Sequence, residues 1–298
     1  MIRIDDVLTT AKGATMKIID MHTHSTCSDG TSTPAEVVRE AHRAGISVLS
    51  LTDHDTVSGC REASKECEKY GIKFIPGVEI TGKENKKLHF LGYGFDPDDA
   101  ELNETLDKLS DARRICAQKI CDTLRKIGVD VYFEEVEECV SGSSIGKPHV
   151  AEVMIKKGYV SSTKEAFDKY LNLPEIKSIE KMKLSSQETI DLIHRAGGLV
   201  VMAHPYQLKM DNDRLHNLIG ELVKCGLDGI ECYYSRYTED MMKEYLSYSK
   251  EFGLYSTIGS DYHGELRKPG VFIGTGADNS LINLRKIKEF DYRILEKL

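Results

Sequence analysis

Residues 40–54, EAHRAGISVLSLTDH, and residues 192–205, LIHRAGGLVVMAHP, repeat one pattern at two distant places in the chain. Each stretch runs from a helical pattern through an Ala-Gly turn into an apolar run, and each run leads to a histidine. Apolar runs of this kind are typical of buried parallel strands. Strands that alternate with helices predict an α/β barrel or a doubly wound sheet.

Similar apolar runs occur along the rest of the chain. They begin near residues 17, 73, 88, 228, 255 and 271. Between the first two predicted strands, TPAEVVREAHRAG offers Thr33 as a helix N-cap, Pro34 at the first helical position and Gly45 as a terminator. This segment therefore predicts the first connecting helix.

One part of the chain departs from this alternation. Residues 98–181 contain long charged helical patterns and few strand-like runs, so we expect a mainly helical insertion there. The barrel domain would then consist of residues 16–97 and 182–298, with residues 1–15 as an N-terminal extension. Those first residues lack the basic start and apolar core of a secretory signal, which favours a cytoplasmic protein.

Composition limits the kinds of partner. The 298 residues are 40% hydrophobic, and no apolar run approaches the roughly 18 residues of a membrane span. A net charge of −8 argues against binding long nucleic acids, which relies on basic surfaces, but allows a small phosphorylated ligand held by metal ions. Eight cysteines without a C-x-x-C pair indicate free thiols in a reducing compartment.

Histidine, aspartate and glutamate recur at the ends of the predicted strands. Candidates from this pattern are His22, His24, Asp53, His54, Asp55, Glu79, His89, His204, Asp261 and His263. His22 and His24 lie two residues apart, so on a strand they share one face. The carboxyl ends of barrel strands converge on one face, where active sites lie, and we expect these side chains to meet there.

Mixed imidazole and carboxylate groups suit Zn²⁺, Mn²⁺ or Fe²⁺, and so many candidate ligands indicate two or three ions. A cluster of this kind favours hydrolysis of a phosphate ester, because it activates water and neutralises charge on the phosphate oxygens.

Six stretches together resemble the successive motifs of the PHP (polymerase and histidinol phosphatase) phosphoesterases. They are DMHTHSTCSDG, LTDHDT, GVEI, LHFLGY, AHP and GSDYHG, spread between about residues 17 and 276. Residues 146–171, GKPHVAEVMIKKGYVSSTKEAFDKYL, further resemble the branch that contains nucleoside 3′,5′-bisphosphate phosphatases. The resemblance implies a distorted seven-stranded (β/α)₇ barrel with a helical insertion.

The resemblance also implies three metal ions. His22, His24, Glu79 and Asp261 would hold the first ion, and Glu79 would bridge to a second ion completed by His89 and His204. Asp29, His54 and His263 would hold the third; many family members have a histidine where Asp29 stands.

Further roles follow for individual residues. His204 is a candidate proton donor to the leaving oxygen, and Asp261 a second catalytic candidate. Asp53 or Asp55 is expected to orient a ligand histidine or to cap a turn. Candidates for contacts with a substrate phosphate are Lys147, His149, Arg113 and Arg114.

The leading hypothesis is a metal-dependent phosphatase acting on a small phosphorylated metabolite, with a nucleoside 3′,5′-bisphosphate as the first choice. Histidinol phosphate and the 5′ end of a short oligonucleotide are alternative substrates. An amidohydrolase-type C–N hydrolase would also begin with H-x-H, but Glu79 as the bridging group favours phosphate chemistry. A non-catalytic binding module is the remaining alternative.

Overall fold

The computed structural model describes residues 18–140, 144–274 and 293–298. The predicted N-terminal extension, residues 1–15, lies outside these ranges. Seven strands follow one another in chain order within one sheet. They are β1 (Ile18–Asp20), β2 (Ile46–Leu51), β3 (Lys73–Thr81), β4 (His89–Tyr93), β5 (Leu199–Ala203), β6 (Gly229–Tyr234) and β7 (Tyr255–Gly259).

The sheet curves into a nearly closed barrel. Backbone hydrogen bonds join the segment that follows β1 to the end of β7 and to the residues after it: the Met21 N–H donates to the Ile258 carbonyl at 2.9 Å, and the Asp261 N–H to the His22 carbonyl at 2.8 Å. The predicted seven-stranded α/β barrel is confirmed. The run at 271 is not a strand in its described part, residues 271–274, and its last residue lies outside the described ranges.

Strand direction differs from expectation at one place. β4 pairs antiparallel with both β3 and β5, whereas the other neighbouring strands pair parallel. His89 is the first residue of β4. In a parallel strand it would lie at the end of the barrel opposite the site, so the reversal of β4 brings it to the carboxyl ends of the other strands.

Helices surround the barrel and fill the segment between β4 and β5. They are α1 (Pro34–Arg43), α2 (Cys60–Tyr70), α3 (Ala100–Lys126), α4 (Phe133–Glu137), α5 (Lys147–Lys156), α6 (Thr163–Ala166), α7 (Pro174–Lys177), α8 (Ser186–Arg195), α9 (Asn212–Lys224), α10 (Glu239–Phe252) and α11 (Arg293–Lys297). A π-helical turn, Phe167–Leu171, follows α6, and a 3₁₀ turn, Pro205–Leu208, follows β5. No helix within the described residues is both long and apolar enough to span a membrane.

The helices α3 to α7 form what we call the inserted segment. The long helix α3 contributes to two separate cores: Leu102 and Leu109 pack with the barrel, whereas Ile120 and Leu124 pack with the other inserted helices. Because one continuous helix enters both cores, it couples the inserted segment to the barrel rim. The predicted helix at residues 33–45 is confirmed, with Thr33 and Glu36 forming a capping box.

Candidate metal centre

The two histidines of the first motif follow β1 and point into the end of the barrel. Both side chains are fully buried. Thr23, between them, points the other way, and its hydroxyl donates to the Ser50 carbonyl at 2.7 Å. The alternation of an extended segment thus places His22 and His24 on one face.

The first group joins these histidines to two carboxylates from other parts of the sheet. Glu79, near the end of β3, lies with its Oε2 3.1 Å from His24 Nε2 and 3.4 Å from His22 Nε2. Asp261, just after β7, has its Oδ1 3.5 Å from each of the same two nitrogens. Four donor atoms therefore face one another at ligand spacing.

The other oxygen of Glu79 faces a second pair of histidines. His89 Nδ1 lies 2.6 Å from Glu79 Oε1, and His204 Nε2 lies 2.9 Å from it. His54 approaches the same carboxylate, with Nδ1 3.3 Å from Oε2. Glu79 thus stands between two groups, as a bridging carboxylate would, and the second group contains His54 in addition to the expected residues.

Asp29 forms the centre of a third group. Its Oδ1 lies 3.2 Å from His263 Nε2, 3.9 Å from His24 Nδ1 and 4.0 Å from His54 Nε2. The structure brings together all nine residues that the resemblance implies as ligands. His24 and His54 each contact two groups, so the boundaries between the sets are less sharp than the sequence suggested.

The donor atoms of these groups have the character of metal ligands. Among the described residues, His24 Nε2, Asp29 Oδ1 and His54 Nδ1 are buried and have no hydrogen-bond partner. His24 Nε2 lies close to Glu79 Oε2 without the alignment of a hydrogen bond. Buried polar atoms are nearly always paired, so their convergence in one place fits divalent cations with imidazole and carboxylate ligands.

Electrostatics keep the carboxylates ionised. Burial works to raise the pKa values of Glu79, Asp29 and Asp261, but the surrounding imidazoles, with Lys268 beside Asp261, outweigh it and hold all three pKa values well below their usual range. Carboxylates that remain charged at neutral pH are available to a cation.

Backbone strain is concentrated at the same place. Asp55, His204 and Asp261 have φ values of 53°, 27° and 57°, in the left-handed region that non-glycine residues rarely adopt. Such strain persists only where the surroundings enforce it, and it is frequent at functional sites.

Glu231 in β6 is a functional candidate that the sequence reasoning missed. It is fully buried, and its Oε1 lies 3.0 Å from His22 Nδ1 while its Oε2 accepts the His204 N–H at 2.8 Å. A carboxylate on Nδ1 fixes the ring and leaves Nε2 free to bind a metal. The close contact between Glu231 and His22 requires a glycine at position 259, since a Cβ there would lie 2.2 Å from His22 Cβ and 2.6 Å from Glu231 Oε1.

Of the two roles expected for Asp53 or Asp55, orienting a ligand histidine or capping a turn, the contacts of the described residues do not show the first. In the described part of the chain, neither forms a hydrogen bond with a ligand histidine. Asp53 accepts from the Ser25 N–H at 2.8 Å and from the Ser28 hydroxyl at 2.5 Å, which shapes the loop that carries Asp29. Asp55 instead bonds Arg113 Nε at 2.5 Å and lies 3.4 Å from Lys181 Nζ.

A cavity of about 310 Å³ opens above the histidine groups. Its walls combine Asp29, His54 and His89 with side chains from the inserted segment and its exit. We call five cationic lining residues the basic rim: Lys86, Arg113, Lys147, Lys181 and Lys183. Three of these, Lys86, Lys181 and Lys183, were not anticipated, because nothing local distinguishes them from surface lysines.

Two expected substrate contacts do not lie in this cavity. Arg114 points to the outer side of α3, where it pairs with Glu137 and covers the Phe133 ring. His149 is buried, and its Nδ1 accepts the Gly146 N–H at 3.0 Å, so it caps its own helix. Adjacent helical residues point about 100° apart, which is why Arg113 and Arg114 separate.

Two cations that follow β7 contact the site from the side. Lys268 contacts Asp261 Oδ2, which also accepts the Tyr234 hydroxyl at 2.6 Å, so Oδ1 remains turned toward the histidines. Arg267 donates to the Asp29 and Pro148 carbonyls, each at 3.0 Å. Arg267 thus connects the loop of Asp29 to the start of α5.

Comparison with known proteins agrees with this geometry. The family model described as PHP domain matches residues 20–291. A protein of Haemophilus influenzae named 5′-3′ exoribonuclease is 33% identical over 83% of this chain and 90% of its own length. A protein of Chromobacterium violaceum named 3′,5′-nucleoside bisphosphate phosphatase is 30% identical over 83% of this chain and 88% of its own.

Two solved structures share the fold over nearly the whole chain. One, from Chromobacterium violaceum, is described as an amidohydrolase with bound sulfate; it has a TM-score of 0.79, 29% identity, and covers 91% of this chain and 95% of its own. The other, from Bifidobacterium adolescentis, is described as a candidate metal-dependent phosphoesterase; it has a TM-score of 0.77, 25% identity, and covers 92% and 96% of the two chains.

Proposed function

Because the chain belongs to the PHP domain family, whose members are metal-dependent phosphoesterases, we propose that it removes a phosphate from a small nucleotide such as a nucleoside 3′,5′-bisphosphate. A phosphoester hydrolase is what the family implies. The nucleotide substrate, the number of ions and the roles of individual residues are our proposal.

Three divalent ions of the Mn, Fe or Zn type would occupy the three groups. The first would be held by His22, His24, Glu79 and Asp261. Glu79 would bridge to the second, with His89 and His204, while Asp29, His54 and His263 would hold the third. Bound ions would supply an activated water and neutralise charge on the phosphate.

The protein's own groups orient the reaction. Asp261 would accept a hydrogen bond from the attacking water, since Tyr234 and Lys268 fix its other oxygen. Either His204 or a water held by the ions would supply the proton to the leaving oxygen; the Nδ1 of His204 is buried and has no hydrogen-bond partner among the described residues. Burial lowers the pKa of His204, which keeps its imidazole neutral at neutral pH and its Nε2 available as a metal ligand.

One observation supports a substrate with a second anionic group: the basic rim stands beside the histidine groups in one cavity. Asp55 neutralises only part of its charge, because Arg113 and Lys181 share that single carboxylate. A phosphate on the metals would leave the rim free to bind another phosphate of the same molecule.

The test is phosphate release by protein reloaded with Mn²⁺. The panel contains nucleoside 3′,5′-bisphosphates, histidinol phosphate, a model phosphate monoester and an amide. We expect the bisphosphates to be the best substrates. His24→Ala should lose activity toward all phosphates, while His216→Ala, which removes an outer histidine paired with Glu251, should not. Metal-replete protein that releases no phosphate from any ester would refute the proposal.

Trimming of short RNA from its 5′ end is the second candidate. The relative from Haemophilus influenzae named 5′-3′ exoribonuclease supports it, and Lys86 gives the cavity a solvent-exposed cationic edge along which an RNA chain would extend. The acidic net charge of −8 disfavours long nucleic acids. Time courses on oligonucleotides of increasing length would show stepwise 5′ products if this activity is present, and none if the protein takes only mononucleotides.

A further inference from the structure

We infer that Phe167 is a stacking platform for the nucleobase of the substrate. This inference rests on the proposed nucleotide substrate and goes beyond it, because it assigns recognition of the base to one side chain. Phe167 lines the same cavity as Asp29, His54 and His89, on a wall that belongs to the inserted segment.

The chain conformation directs Phe167 toward the cavity. It is the first residue of the π-helical turn Phe167–Leu171, directly after α6. π-helical turns are rare and are frequent at functional sites, since the extra residue turns side chains away from the regular helical face. Lys147 Nζ donates to the Leu171 carbonyl at 2.8 Å, which ties the end of this turn to the first residue of α5.

The ring is supported from behind. Phe167 is half-buried, and it packs against the core of the inserted helices together with Tyr170. Pro148, the second residue of α5, lines the cavity near it and adds apolar surface. A ring held on one side by a core and open to the cavity on the other is suited to stack with a planar ligand.

The polarity of the cavity lining and the size of the cavity both fit a nucleotide. Metal ligands and the basic rim attract phosphates, but neither provides contacts for a base. Phe167 and Pro148 provide an apolar wall in the same cavity of about 310 Å³, which falls within the range of about 300–1,000 Å³ typical of small-molecule sites. Aromatic stacking recognises any base and needs no hydrogen bonds to its edge.

The experiment compares two substrates that differ only in the base. Adenosine 3′,5′-bisphosphate has the base, and its abasic tetrahydrofuran 3′,5′-bisphosphate analogue lacks it. For each we would measure kcat/KM with wild type, Phe167→Leu, Phe167→Trp and Tyr170→Ala. The leucine variant keeps an apolar side chain without a π face, and the tryptophan variant keeps the π face.

For wild type we expect adenosine 3′,5′-bisphosphate to be preferred, and Phe167→Leu to lower its kcat/KM by about 5- to 100-fold, the range of base stacking. The same substitution should change kcat/KM for the abasic analogue by less than about twofold. Phe167→Trp should retain the preference for adenosine 3′,5′-bisphosphate over the abasic analogue. Tyr170→Ala should lower thermal stability and leave the ratio of the two substrates unchanged, because its ring packs into the same core but does not line the cavity.

Three results would overturn the inference. Equal losses on both substrates with Phe167→Leu would mean that the residue only supports the fold. A wild type that hydrolyses both bisphosphates equally would leave the proposed phosphatase intact and remove the base platform. A wild type that hydrolyses neither of them would instead refute the proposed substrate, and the platform with it.

Discussion

The barrel end and the inserted segment build the cavity in different ways. The barrel contributes buried histidines and carboxylates at strand ends, with strained backbone and donor atoms that face one another at 2.6–4.0 Å. The inserted segment and the residues by which the chain leaves it contribute most of the cationic side chains of the basic rim and one aromatic ring. The difference suggests that the barrel performs the chemistry and the inserted segment selects the substrate.

This division makes a general prediction about variants. Changes at the barrel end should reduce activity toward every phosphate ester, together with metal content. Changes in the inserted segment should reduce activity only toward substrates that reach it. The following variants test the two halves of the comparison, starting with the largest expected effect.

Asp29→Ala should have the largest effect. It removes the carboxylate at the centre of the third group, so we expect one fewer ion per chain and a loss of about 10²- to 10³-fold in kcat on all esters, the scale of removing one group that stabilises the transition state. Metal analysis after gel filtration, with phosphate release, would measure both. Asp122→Ala, at a half-buried residue of α3 that pairs with Arg125, is the control. Unchanged ion content and activity would reduce the assignment to two metals.

Glu231→Gln should weaken metal binding without removing a ligand. The amide has one acceptor oxygen, so it cannot serve both the His22 ring and the His204 N–H. We expect a loss of about 10- to 100-fold in metal affinity, as for other groups that orient metal-binding histidines. Titration of the metal-free protein would measure it, and Glu66→Gln in α2, which removes a carboxylate paired with Arg39, is the control. Equal affinities for the two variants would contradict the assigned role.

Lys181 should make binding of a second phosphate sensitive to pH. Burial and the neighbouring Arg113 and Lys183 lower its pKa to about 8, against the opposing effect of Asp55. Lysine is charged below its pKa and neutral above it, so the basic rim loses one positive charge as the pH rises through 8. We expect KM for a bisphosphate to rise about tenfold above this pH, the scale of one charged hydrogen bond, while KM for a model monoester stays level.

The control for this pH effect is Lys181→Arg. Arginine stays protonated across the same range, so the rise in KM for the bisphosphate should disappear. A rise that persists in this variant, or that affects both substrates alike, would assign the pH dependence to another group.

Much of the fold could be predicted because its signals are local. Each strand is a short apolar run in the sequence. Several candidate metal ligands, such as His22 and His204, come just after such a run. The direction of a strand has no such signal. The apolar run that forms β4 has the same sequence pattern as the runs of the neighbouring strands. Only the structure shows that β4 is antiparallel to them, and this direction brings His89, at the start of the strand, to the site.

The remaining site residues depend on packing between distant segments. Glu231 lies within a predicted strand, and its only local signal is a single charge in a buried run. Lys181 and Lys183 reach the cavity because the chain leaves the inserted segment there. Arg113 and Arg114 cannot be separated by sequence, since the orientation of α3 about its axis is set by contacts with both cores.

Those two adjacent arginines offer the most direct test of the division between barrel and inserted segment. The measurement is kcat/KM of Arg113→Ala and Arg114→Ala, each on a nucleoside 3′,5′-bisphosphate and on p-nitrophenyl phosphate. We predict that Arg113→Ala lowers kcat/KM about tenfold or more for the bisphosphate and leaves kcat/KM for p-nitrophenyl phosphate unchanged, which is the effect of losing one charged hydrogen bond. Arg114→Ala should leave both values unchanged, because an exposed ion pair contributes little. Equal losses on the two substrates for Arg113→Ala, or equal effects of the two variants, would contradict the account.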